Sequence, residues 1–300
     1  MTTRLRGMLA AVHSPFHADG SLHLAMVERQ AEFLVQQRVS GVFVCGSTGE
    51  AFSLTIAERQ QLAERWLACA GRTFPVVVHV GHHCLADART LAAHAEKMGA
   101  YAIAAVPPSY FRPETVADVV AWCRQVAAAA PGTPFYYYHI PFYTGVNISV
   151  ADFFQQASSS IPTLRGVKFT HSDLIDCGNC LMIDDGRWEI VFGSERMLLS
   201  ALVLGCQAAI GTTFNYLAPW FHPVLDAFGR GDLEEARQSL HSARQLITRL
   251  HPTNVLAASK GLMGFLGVDC GPVRPPLRPL TAGELITLRD NWEAVRMPRS

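Results

Sequence analysis

One lysine stands in the middle of "TLRGVKFTHSD" (residues 163–173), where Leu164, Gly166, Val167 and Phe169 otherwise mark a short, apolar, extended segment. Lysine is almost never fully buried unless it is paired or put to work. An apolar surround disfavours the ammonium form, so the pKa of Lys168 falls and its free amine becomes a nucleophile towards a carbonyl. The bland alternative is a strand lysine that snorkels to water or pairs with a carboxylate.

Other stretches carry groups that would serve such a nucleophile. "GSTGE" (46–50) holds Ser47 and Thr48 between glycines, as a substrate-binding turn or as a plain entry into the next helix. In "PFYYYHIP" (134–141), strand alternation puts Tyr136 and Tyr138 on one face and Tyr137 on the other, so one tyrosine in reach of the lysine is enough. "HVGHHC" gathers His79, His82, His83 and Cys84 just after an apolar run, where polar loop residues are preferred over a metal site. "CGNC" places Cys177 and Cys180 at redox or zinc spacing, but no second pair stands at metal-site distance, and packing is the preferred reading. No metal is expected at either cluster.

Composition narrows the partners. The 300 residues are 49% hydrophobic, and 25 basic side chains balance 25 acidic ones. No bulk field favours nucleic acid or an anionic membrane, so a small molecule or another subunit is the expected partner. No apolar run reaches the roughly 18 residues of a membrane span. The start "MTTRLRGMLAAVHSPF" lacks the features of a secretory signal, and a cytoplasmic location is expected. The eight cysteines sit mostly in apolar stretches, as small core residues rather than a disulfide framework.

Eight candidate strands position these groups: 7–14, 41–46, 75–81, 101–108, 134–141, 165–170, 188–194 and 207–213. Helical patterns fill most of the gaps. Val27, Ala31, Leu34 and Val35 make one amphipathic stripe, and Thr55 with Glu58 makes a capping box. Strand and helix alternating eight times implies an α/β (β/α)₈ TIM barrel. An open doubly wound sheet would usually carry a Gly-rich fingerprint after its first strand, and none is present. Beyond about residue 220 come helices alone: 234–250, a candidate for barrel helix eight, then 253–267 and 281–295, the last capped by Thr281 and Glu284. "CGPVRPPLRPL" (270–280) is too rich in proline for helix and is expected to run extended along the surface. Residues 1–225 are expected to form the barrel and 226–300 a C-terminal helical extension packed on it as one structural unit.

A barrel of this kind gathers reactive groups at the C-terminal ends of its strands. Those ends carry Ser47 and Thr48, the loop "PPSYFRP" (107–113), Tyr138 and His139, Lys168 and Thr170, "GSER" (193–196) and "GTTFN" (211–215). Hydroxyls, a tyrosine and a lysine at one mouth are the parts of a Schiff-base enzyme.

Taken in order, "GSTGE", "YYYHIPFYTGV", "GVKFTHSDL", "VFGSERMLLSALVLGCQAAIGTTFNY" and "CGPVRPPLRPL" resemble the class I pyruvate-dependent aldolases of the N-acetylneuraminate lyase and dihydrodipicolinate synthase superfamily. The resemblance runs through nearly the whole chain, and "FYYYHIP" followed by "TGV" is most similar to the N-acetylneuraminate lyase branch. It implies a barrel with a helical extension, usually a homotetramer, acting on pyruvate and a sugar-derived 2-keto acid without metal or cofactor. It implies that Lys168 forms the imine, that Tyr138 exchanges a proton with the hydroxyl on the carbon being cleaved, and that Ser47 and Thr48 bind the substrate carboxylate, with Ser47 extending the proton relay. Tyr110 matches a position from which an aromatic approaches a neighbouring subunit's site. Thr170, Gly193, Glu195, Arg196, Thr212 and Tyr143 complete the implied substrate-binding set.

Two departures accompany the resemblance. Tyr143 stands where the synthases commonly carry arginine, which argues against synthase activity. Glu195 and Arg196 stand where the lyases commonly carry Asp-Glu, and Thr212 replaces a common serine. Replacing an acceptor by a fixed cation changes which substrate groups can be paired. The alternatives to a lyase of N-acetylneuraminate or a related sugar-derived 2-keto acid are an aldolase of the same superfamily for another substrate, such as a 2-keto-3-deoxy acid or one with a negative group meeting Arg196, a dihydrodipicolinate synthase-like enzyme and, last, a keto-acid-binding protein without turnover.

Overall fold

The eight apolar stretches pair side by side, each with its neighbours in sequence, and the last pairs back to the first. In the computed structural model, which describes residues 4–71, 74–250 and 254–295, the result is a closed parallel barrel with strand order one to eight. Thr253, residues 1–3 and residues 296–300 of the expected elements lie outside the described residues.

The strands are β1 (Gly7–Ala11), β2 (Gly41–Val44), β3 (Val76–His79), β4 (Ala102–Ala105), β5 (Phe135–His139), β6 (Leu164–Phe169), β7 (Glu189–Phe192) and β8 (Ala208–Gly211). All but β6, which keeps six residues shifted by one, are shorter than the stretches read from sequence, whose last residues turn out of the barrel to form the mouth. Nearly every strand residue is buried, as expected of parallel strands covered on both faces. Alternation divides them into two cores. Leu9, Phe43, Val77, Ala104, Tyr136, Tyr138, Val191 and Ile210 fill the interior. Ala10, Val42, Val44, Val78, Ile103, Tyr137, Val167 and Phe192 face the helices.

Those helices are α1 (Met26–Gln36), α2 (Ile56–Ala70), α3 (Leu85–Lys97), α4 (Val116–Ala127), the single turn α5 (Pro141–Thr144), α6 (Val150–Ala157), α7 (Leu174–Met182) and α8 (Leu198–Leu204). They are followed by α9 (Ala218–Gly229), α10 (Leu233–Leu250), α11 (Val255–Phe265) and α12 (Ala282–Glu293). The capping boxes of Thr55 with Glu58 and Thr281 with Glu284 both form, and Thr115 with Asp118 makes a further one. In α1, Val27, Ala31 and Leu34 are buried, but Val35 is exposed. Eight residues on from Val27 the helix has turned about 80° away from that residue's direction, beyond the edge of the buried stripe.

The helix directly after β8 is α9, which precedes the stretch read as a candidate for barrel helix eight. Pro219 and Pro223 obscure it in sequence, yet Pro219 sits in the first turn, where its missing N–H costs nothing. The segment after Cys270 runs without helix, as its prolines require, and is strapped to the barrel by Arg274. That guanidinium donates to both oxygens of Glu58, at 2.5 and 2.9 Å, and to the carbonyls of Gly20 and Ser53.

Candidate active site

Register sets the centre of the mouth. Lys168 of β6 pairs with Tyr138 of β5 on one side and Val191 of β7 on the other, and all three point inward. Lys168 is 4% exposed, with its Nζ 3.8 Å from the centroid of the Phe43 ring and 4.0 Å from that of Tyr138. Ring faces attract an ammonium only weakly compared with water, so desolvation wins. Burial draws the lysine down to about 7, against a smaller upward pull from the Glu195 carboxylate.

Tyr138 is equally buried, which pushes its phenol up to about 12, while the hydroxyls of Ser47 and Thr170 pull it back. The Ser47 Oγ lies 3.4 Å from the Tyr138 hydroxyl. Tyr143, on α5, is exposed but close enough to act on the Tyr138 charge. Thr170 Oγ1 is buried beneath Gly193, where a Cβ would overlap that hydroxyl; only glycine lets β7 pass so close.

The loop after β2 reaches across the barrel. Thr48 Oγ1 and Thr212 Oγ1 are 2.7 Å apart, joining the β2 loop to the residue after β8. Ser14 donates to the carbonyl of Gly49 at 2.6 Å, and Asn215 donates to those of Ala11 and Thr212. Glu195 accepts from the Thr213 backbone N–H at 2.7 Å and from its hydroxyl at 3.0 Å. A Cβ at Gly211 would overlap the Glu195 side chain, so the small residue makes room for the carboxylate.

Lys168, Tyr138, Ser47, Thr48, Thr170, Gly193, Glu195, Thr212 and Tyr143 therefore gather at one end of the barrel. Two of the residues named from sequence do not join them. Arg196 is exposed and turns outward, its guanidinium donating to the Thr248 hydroxyl of α10 at 3.2 Å, so in this structure it does not present its charge to the mouth. The short 3₁₀ turn Glu195–Met197 explains the split, because consecutive residues there point in different directions. Tyr110 is 79% exposed and packs edge to face on Phe111, 5.0 Å between centroids.

The histidine and cysteine clusters disperse. His79 turns into the barrel, edge to face with Tyr138 at 5.8 Å, its Nδ1 2.8 Å from the Cys45 carbonyl. Burial, and secondarily the Arg59 charge, hold it well below the usual histidine range. His82 lies against Asp87, and His83 Nε2 is 2.7 Å from the Ser109 hydroxyl, so the three imidazoles serve different partners. Cys177 and Cys180 are buried in α7, and the Cys177 sulfur lies 3.9 Å from that of Cys206.

Sequence reasoning missed Phe43, His79 as an inward residue and Arg59. Phe43 was legible, since alternation from buried Val42 and Val44 turns it inward. Arg59 carried no signal: it sits on the buried face of α2 and donates to the carbonyls of His79 and Gly81 at 2.6 and 2.9 Å.

A closed parallel (β/α)₈ barrel with a helical extension and an amine at its mouth is the class that fold and site define. The family model described as "Dihydrodipicolinate synthetase family" matches residues 4–294, and the chain belongs to that family. It is 37% identical over 278 residues to N-acetylneuraminate lyase A of Xenopus laevis, covering 91% of each chain. Among solved structures, Proteus mirabilis N-acetylneuraminate lyase superposes with a TM-score of 0.94 at 34% identity, covering 97% of this chain and 99% of that one. A catalytic lysine mutant of the Ruminococcus gnavus sialic acid aldolase gives 0.91 at 25% identity, covering 96% and 94%. With that family and those relatives, the chain is a carbon–carbon lyase.

Proposed function

We propose that this chain is a Schiff-base aldolase that cleaves N-acetylneuraminate, or a closely related sugar-derived 2-keto acid, to pyruvate and an aldehyde, which for N-acetylneuraminate is N-acetylmannosamine. The observation that carries the reading is a buried lysine drawn down to about 7, register-paired with a tyrosine. The names of the relatives, one of which is described as having a catalytic lysine, support the substrate class.

In this reading the neutral Lys168 amine adds to the keto carbon, the resulting hydroxyl takes up one proton from solvent and leaves as water, and a protonated imine results. The carbon–carbon bond then breaks as its electron pair moves to the imine nitrogen, giving an enamine and releasing the aldehyde. The hydroxyl proton of the departing carbon goes to Tyr138. A phenol pushed up to about 12 holds its own proton at neutral pH, so it must hand one on as it takes one. Ser47 Oγ, 3.4 Å away, is placed to receive it while releasing its own hydroxyl proton, and the relay returns one proton to the enamine carbon. Protonation of the enamine carbon and hydrolysis return pyruvate and the free amine.

Thr48, with Ser47, binds the carboxylate through neutral donors. Thr170, Gly193, Glu195, Thr212 and Tyr143 line the rest of the pocket, and Arg196 reaches the substrate tail only by leaving Thr248. Tyr110 serves a neighbouring subunit's site in a homotetramer, a role supported by its exposure. A cytoplasmic location, and a division into barrel (1–225) and packed extension (226–300), belong to the same proposal. Among the described residues, no helix is long and apolar enough to cross a membrane.

The test is incubation with pyruvate and borohydride, followed by mass analysis of the intact and digested protein, with Lys168→Ala as control. A reduced pyruvate adduct on Lys168, together with pyruvate release from N-acetylneuraminate, is expected. A folded protein with no adduct would overturn the mechanism.

A further inference from the structure

The chain contains three lysines, at 97, 168 and 260, and the reaction uses only one of the two that are buried. Lys260, on α11, is as deeply enclosed as Lys168 but meets a carboxylate. Its Nζ is 2.7 Å from Glu50 Oε1, with the two side chains 2% and 0% exposed, and it donates to the Pro272 carbonyl at 2.7 Å. The other Glu50 oxygen accepts the Arg274 backbone N–H, also at 2.7 Å. Lys260 and the Arg274 guanidinium both lie against the Phe16 ring, 4.2 and 4.3 Å from its centroid.

Glu50 is the last residue of the loop that carries Ser47 and Thr48, and it is held in the left-handed region at φ 55°. Its backbone N–H donates to the Ser47 carbonyl at 3.1 Å, closing the loop on itself. A non-glycine residue persists in that conformation only when its surroundings over-determine it. Here the surroundings are a buried ion pair and a backbone hydrogen bond, both supplied by the helical extension. A surface turn would need neither.

The geometry points to Glu50 and Lys260, with the Arg274 segment, as positioning residues: through the Glu50 carboxylate, the extension sets the shape of the Ser47–Thr48 loop and thereby the enzyme's selection of carbonyl compounds that bear a carboxylate. This rests on the Schiff-base reading. Lys260 forms no imine, being already committed to Glu50. The pair touches no reacting atom, so its loss is felt at carboxylate recognition and not in the reactivity of Lys168.

Borohydride trapping on the full chain, with pyruvate and with hydroxyacetone, separates the two. Both are methyl ketones of similar size, and only pyruvate carries the anion. Glu50→Gln combined with Lys260→Met removes both charges together, avoiding a lone buried ion. The expected result is about a tenfold or larger fall in the ratio of pyruvate to hydroxyacetone trapping, with hydroxyacetone trapping within about twofold of wild type and KM raised more than kcat is lowered. An unchanged ratio, or an equal loss for both ketones, overturns the proposal. If the double variant does not fold, Glu50→Asp, which keeps both charges and shortens the reach by one methylene, is measured in the same way, with a smaller fall in the ratio expected and an unchanged ratio again decisive against it. Wild type that traps neither ketone on Lys168 sinks the Schiff-base reading, and this one with it, before any variant is compared.

Discussion

Lys168 and Tyr138 are direct register partners on adjacent strands, and the lysine Nζ lies 4.0 Å from the centre of the tyrosine ring. Both are pushed towards their neutral forms by the same burial, the amine downward and the phenol upward. At neutral pH the mouth thus holds, side by side, an amine of which about half is unprotonated and a phenol that keeps its proton, the combination that imine formation followed by proton exchange requires.

The first consequence concerns pH. The rate of borohydride trapping with pyruvate should rise with a midpoint near 7, the value to which burial draws Lys168, and not near the ordinary lysine range. A profile still climbing steeply above pH 9 would mean that the amine is solvated in the working protein.

A second concerns stability. Between about pH 7 and 10.5 the unfolded chain binds a proton at Lys168 that the folded chain does not, so stability rises with pH across that window and the full penalty is present below it. At about 1.4 kcal/mol per unit, the penalty is on the order of 5 kcal/mol near pH 6. Lys168→Met should therefore raise the denaturation midpoint at pH 6, with the advantage shrinking towards pH 10. Denaturant melts of both proteins across that range check this, and parallel curves would refute it.

Tyr138→Phe keeps the ring that packs on Phe43 at 5.4 Å and deletes the hydroxyl beside Ser47. Pyruvate should still be trapped on Lys168, while the rate of carbon–carbon cleavage falls by about 10²–10⁴. Equal losses in trapping and cleavage would place Tyr138 in imine formation instead.

Glu195→Gln preserves an oxygen for the Thr213 N–H but removes the charge that pulls Lys168 upward. The trapping midpoint should move down, because the carboxylate's upward pull on the amine is lost. Trapping rates from pH 5 to 8 would reveal the shift, and a midpoint that stays put would show that Glu195 does not act on the amine.

At the opposite end of the barrel, Glu189 accepts from the Leu5 N–H at 3.0 Å, the Tyr136 hydroxyl at 2.8 Å and Arg165 at 2.5 Å. Glu189→Gln should cost about 1–3 kcal/mol of stability by unbalancing these donors. Trapping at pH 7 should be unaffected, since in this fold the N-terminal face serves stability. A melt and a trapping assay on one preparation would separate the two effects.

Much of this was legible in the chain itself. Eight short apolar runs alternating with capped helical stretches specify parallel strands and crossover helices, because period, length and turn chemistry are local properties. Alternation alone puts Tyr136 and Tyr138 on one face, and an apolar strand around Lys168 is enough to predict a depressed pKa. The helix α9 was not legible, because Pro219 and Pro223 read as breakers until the first turn absorbs one of them.

Tertiary structure decided what each polar group meets. It turned Arg196 away to Thr248 and brought Glu195 in to Thr213, a division between neighbours that no periodicity encodes. It brought Glu50 against the backbone of Arg274, 224 residues away, and set Phe43 over the Lys168 amine. The reason is physical. Burial on a strand follows from the side chains next to it in sequence, whereas desolvation and pairing depend on whatever the closed barrel brings within a few ångströms.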